Sequence, residues 1–236
     1  MSEELQQSSN VKNILTIDFN IIMYPCIKLY RDISSNENEN PSVIWNTIEN
    51  YRGVSKEFLQ YDARTYNKLV KFVQLAMQQD KEVELINPIK QDKIPQILSV
   101  LYPEELGENY RYNIMNIDFF HDLLSTSKDR NNITRFNKYD SNSWAGYLML
   151  KDKINNYIWV KAPNSDGFNM TWNKDDIKFY SESVVYYLDY PENIIADYPF
   201  DKVFISFPEN YVPNQYKHLF NLFFELFLPK EKGWWI

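Results

Sequence analysis

"NIMNIDFFHDLLS", residues 113 to 125, decides how this chain is read. An apolar run of strand length ends in Asp118, and His121 and Asp122 follow directly. A strand buried on both faces and ending in acidic and imidazole side chains is where an open α/β sheet places a ligand or a catalytic metal. Phe119 and Phe120 interrupt the polar cluster, so whether a metal belongs there depends on the rest of the chain.

The pattern recurs twice. In "NILTIDFNIIM", residues 13 to 23, Asp18 stands inside an apolar strand, where a lone charge is costly unless it is paired, hydrogen-bonded or metal-bound. Asn20 follows it. In "DKVFISFPENYVP", residues 201 to 213, a strand ends in Ser206, with Glu209 and Asn210 just beyond. Polar residues at the ends of several parallel strands converge on one crevice. A shared site is therefore expected from Asp18, Asn20, Asp118, Phe120, His121, Asp122, Ser206, Glu209 and Asn210.

Between these strands the periodicity alternates. "TYNKLVKFVQLAMQQ" carries Tyr66, Leu69, Val70, Val73 and Met77 at helical spacing. "EVELINPI" reads as a short strand, and "KIPQILSVLY" as a helix begun near Pro95. "NSWAGYLMLKDK" reads as a helix, "NYIWVKAP" as a strand, and "DDIKFYSES" and "VVYYLDY" as further strand candidates. "NQYKHLFNLFFELF" closes the chain's regular structure as an apolar helix, with His218 expected to be a partly buried structural histidine. Strands alternating with helices predict an α/β fold, a three-layer sandwich with a mostly parallel central sheet. One domain is expected over residues 1–236, with residues 1–10 flexible. The best surface loop is "ISSNENENP", residues 33 to 41. The polar segment of residues 127–142 either covers the site or is a solvated loop.

Composition bounds the function. A hydrophobic share of 44% with only 5 glycines belongs to a folded chain, not a disordered one. A net charge of −7 argues against nucleic acid and anionic membrane surfaces as partners. The single cysteine, Cys26, has no partner for an intramolecular disulfide and reads as an inert buried thiol more readily than as a nucleophile. "MSEELQQSSN" lacks the regions of a signal peptide, and no apolar run reaches the ~18 residues that span a bilayer, so a cytoplasmic protein is expected. Most of Trp45, Trp144, Trp159, Trp172, Trp234 and Trp235 are expected in the core. The terminal "GWWI" is the exception, an apolar end that folds back or pairs two copies as a homodimer.

Four segments in order, "ILTIDFNIIMYPCIKLYRD", "NIDFFHDL", "NSWAGYL" with "YIWVKAPNSD", and "DKVFISFPENYVPNQYKHLFNLF", resemble the arginase-like family that includes the peptide arginases. The resemblance covers most of the chain. It implies a three-layer fold with a parallel sheet and, in active relatives, a two-manganese centre that activates a bridging water toward a guanidinium carbon. The family's middle motif is similar to Asp-x-His-x-Asp. Asp118 and Asp122 match its ends, but Phe120 stands at the central histidine and His121 lies one position later, on the opposite face of an extended segment. Asn20 replaces an acidic residue, and "KQD", residues 90 to 92, stands where relatives tend to carry histidine. Metal ligands, if any, would be Asp18, Asp118, His121 and Asp122, with manganese as the ion. With so few ligands no cofactor is expected, and Asp118 and Asp122 are expected to be hydrogen-bonded structural carboxylates. The expectation is a non-catalytic binding or regulatory protein, a pseudoenzyme on an arginase-like scaffold, recognising a peptide or protein partner. The alternative is a manganese-dependent hydrolase of peptidyl arginine with an altered metal site.

Overall fold

The apolar runs become a six-stranded sheet in which every neighbouring pair is parallel. The computed structural model describes residues 10–23, 41–50, 60–78, 82–86, 90–107, 110–118, 122–123, 143–161, 183–187, 199–208 and 212–227. The strands are β1 (Asn10–Asp18), β2 (Glu84–Ile86), β3 (Tyr110–Ile117), β4 (Ile154–Lys161), β5 (Ser183–Tyr187) and β6 (Lys202–Ser206). Their order across the sheet is β2-β6-β1-β3-β4-β5. The three strands that carry the polar ends, β6, β1 and β3, are thus central neighbours, as expected from their unbroken apolar character.

Alternate side chains of these strands enter two separate cores. On one face, Leu15, Ile17, Met115, Val160, Val203 and Ile205 pack with helices α1 (Pro41–Asn50), α2 (Ala63–Ala76) and α5 (Lys217–Phe224) through Trp45, Leu69, Phe72, Val73, Phe220 and Phe223. On the other, Ile14, Ile114, Tyr112, Tyr157, Trp159 and Phe204 meet α3 (Ile94–Leu101) and α4 (Trp144–Leu150) through Ile94, Leu98, Trp144 and Leu148. Two covered faces make three layers, and they explain why the strands read as continuous rather than alternating apolar runs. Among the described residues no helix is long and apolar enough to cross a membrane.

Three details differ from the sequence reading. Asn10 belongs to β1, so flexibility expected over residues 1–10 does not extend to it. Pro41, read as the end of a loop, opens α1, where its fixed φ and missing N–H suit a first helical position. His218 is exposed on α5, its Nδ1 2.7 Å from the Gln215 carbonyl oxygen, because the buried stripe of that helix runs through Phe220 and Phe223 instead. The "DDIKFYSES" strand candidate lies outside the described residues except for Ser183. So do Cys26, the 127–142 segment, Trp172, Trp234 and Trp235.

Local caps connect strand ends to helices. Asp62 caps α2 by accepting from the Arg64 and Thr65 amides at 3.0 and 3.1 Å, and its own amide donates to Ile22 O at 2.7 Å. That pair of contacts fixes the start of α2 beside the exit of β1. At the amino end of the sheet, Lys202 opens β6 with its ammonium buried. It donates to Glu105 Oε1 at 2.9 Å, lies 3.7 Å from Glu84 Oε2 and sits 3.9 Å from the centre of the Tyr102 ring. Glu105 also accepts from the Tyr112 hydroxyl at 3.4 Å.

Removing one partner of a buried ion pair strands the other charge, at a cost of about 3–5 kcal/mol. We predict that Lys202→Met lowers the urea-unfolding free energy by that order, and that adding Glu105→Leu recovers most of the loss. A single variant as stable as the wild type would show that the pair does not hold this end of the sheet.

Candidate functional site

The order of connections defines a crevice. From β1 the chain turns to one side of the sheet, toward β2, and from β3 it turns to the other, toward β4. Adjacent strands whose connections diverge leave a gap outside their carboxyl ends, where open α/β sheets bind ligands. Register brings the acidic ends level there. Ile17 pairs with Ile117, so Asp18 and Asp118 leave neighbouring strands at the same height, and Asp18 pairs with Ser206 of β6 on its other side.

Each of these groups is buried, Asp18 at 7% exposure, Asp118 at 1% and Asp122 at 2%. Asp18 accepts from the Asn20 amide at 3.0 Å, which starts a 3₁₀ turn over Phe19–Ile22, while the Ser206 hydroxyl beside it donates to Ile17 O at 3.5 Å. Asp122 adopts a left-handed backbone, φ 52°, a conformation aspartate tolerates better than most residues. Its carbonyl oxygen accepts from the Ala145 and Gly146 amides at 3.1 and 3.3 Å, and its Oδ2 accepts from the Trp144 indole at 2.7 Å. Asp122 therefore clamps the first turn of α4, whose own N-cap, Ser143, makes no side-chain cap bond. Trp159 of β4 donates its indole N–H to Asp118 O at 3.0 Å. Lys161, the last residue of β4, is buried with its ammonium 5.4 Å from the centre of the Trp159 ring.

Amide side chains join the carboxyls. Asn116 Oδ1 accepts from the Thr16 hydroxyl at 2.6 Å, and Asn116 Nδ2 lies 3.0 Å from the Tyr157 hydroxyl and 3.3 Å from Asp122 Oδ2. The Gln91 carboxamide has one end 2.8 Å from Asp118 Oδ2 and 2.6 Å from Asp122 Oδ2, and the other 3.0 Å from Asn116 Oδ1. With its nitrogen on the carboxyls, Gln91 donates to both and sets its oxygen against the Asn116 oxygen. Turned round, it donates to Asn116 and sets its oxygen against two carboxyl oxygens. Reversing Asn116 as well moves the conflict to Asp122 Oδ2. The last arrangement is relieved by a proton on Asp122, which lets its Oδ2 donate to the Asn116 oxygen.

Electrostatics lead to the same conclusion. Burial, with the Asp118 charge second, raises the Asp18 carboxyl well above the usual carboxylate range. Burial is also the main cause that pushes Asp122 up to about 7, with the Asp18 charge adding to it against hydrogen bonds from Asp118, Trp144 and Asn116. Burial thus disfavours the ionised form at both Asp18 and Asp122.

Of the residues expected at the site, Asp18, Asn20, Asp118, Asp122 and Ser206 come together. Phe120, His121, Glu209 and Asn210 lie outside the described residues. Among the described residues no group of three His, Cys, Asp or Glu side chains is arranged to hold a metal ion, and the Gln91 carboxamide lies within hydrogen-bond distance of both Asp118 and Asp122. Sequence reasoning missed Thr16, Asn116, Trp144, Tyr157 and Lys161. Thr16 and Asn116 carried a signal, being polar residues inside runs otherwise fit for burial on both faces.

The fold and crevice define a doubly wound, parallel α/β protein with an acidic site at its switch point. Comparison of the chain with protein-family models, with curated proteins and with solved structures gives no match.

A carboxyl whose pKa is higher in the folded than in the unfolded chain gives stability at low pH that is lost as pH rises. For Asp122 that loss runs from near its ordinary 3.8 to about 7. We predict that the urea midpoint falls between about pH 5 and about pH 8, and that Asp122→Asn flattens this fall while keeping an acceptor for Trp144. An unchanged slope in the variant would mean that Asp122 is ionised throughout.

Proposed function

We propose that the chain is a cytoplasmic binding or regulatory protein on an arginase-like scaffold, a pseudoenzyme that recognises a peptide or protein partner at the β1–β3 crevice. The observation that supports this reading is the engagement of Asp122 and Asp118 by Gln91, together with the clamp of Asp122 on α4. Buried carboxyls that hold a helix in place are structural groups first, and a fold shared with enzymes carries no activity by itself. The substitutions at Phe120 and Asn20 point the same way, since two-metal hydrolysis requires both ions to make a hydroxide near neutral pH.

A second reading keeps one observation in its favour. Asp18, Asp118 and Asp122 do lie together at the carboxyl end of the sheet, where a manganese-dependent hydrolase of peptidyl arginine would need them. The two readings separate in one assay. With manganese present, we expect no ornithine from free or peptidyl arginine. Manganese-dependent ornithine formation that disappears on Asp118→Ala would overturn the scaffold reading.

A binding role has its own test. Immobilised peptides probed with the wild type and with Asp18→Asn should show a retained subset that the variant loses at least tenfold, about 1.4 kcal/mol. Identical retention by the two proteins would move recognition away from this crevice. Restoring ligands by Phe120→His with Asn20→Asp is expected to raise manganese affinity, read by calorimetry. No gain would argue that these positions are not the remnant of a metal site.

A further inference from the structure

We draw no further inference here: the strongest candidate, the buried Asp18, Asp118 and Asp122 cluster with Gln91 at the carboxyl end of the sheet, belongs to the site already described, and nothing in the structure shows a ligand beyond it.

Discussion

Parallel pairing of β1 with β3, in register from Asn10↔Tyr110 to Ile17↔Ile117, is the constraint on which the other features depend. A one-residue slip would turn each apolar side chain of β1 toward the opposite helix layer and would move Asp18 off the level of Asp118. Cores on both faces hold the register, because Ile14 and Ile114 enter one and Leu15, Ile17, Met115 and Ile117 the other. The hydrogen bond from Thr16 to Asn116 adds a polar check between the same two strands. Two carboxyls are thus brought to one place by packing, which compensates for a juxtaposition that electrostatics alone disfavours.

The strands were legible because burial on both faces removes the ambiguity of an alternating pattern, as in "KVFIS", where every residue is buried. The grouping of Asp18 and Asp118 followed from the same logic, since polar residues closing buried parallel strands have one crevice to share. Other features were not legible for identifiable reasons. In α1, Ile44, Trp45 and Ile48 stand at helical spacing, but the segment after the Asn- and Glu-rich loop of residues 33–41 was given no element. His218 was read from its apolar neighbours, yet it shares the outer face of α5 with Leu222, four residues on and 53% exposed. The clamp between Asp122 and residues 144–146 depends on contacts across 22 positions, and nothing local in either segment encodes it.

Gln91 shows how one amide changes the chemistry of a carboxyl pair. A histidine or a carboxylate at that position would add a metal donor, whereas a neutral carboxamide supplies one donor end and one acceptor end. Placed with its nitrogen between Asp118 and Asp122 it donates to both carboxyls, and such donors favour the charged form that burial disfavours. Amide donors and low dielectric therefore act in opposite directions, and at Asp122 burial is the larger influence.

The two ends of the sheet resolve buried charge in opposite ways. At the amino end, Lys202 meets Glu105 at hydrogen-bond distance beneath the Tyr102 ring, so that each buried charge has its counter-charge. At the carboxyl end, Asp122 meets the indole of Trp144 and the amides of Asn116 and Gln91, all neutral donors, and is raised toward the neutral form. The counter-charged pair anchors β6 to the segment before β3. The buried carboxyl cluster is different, because a change in the protonation of Asp122 changes the charge beneath α4. The sheet therefore meets buried charge with a counter-charge at one end and with neutral donors at the other.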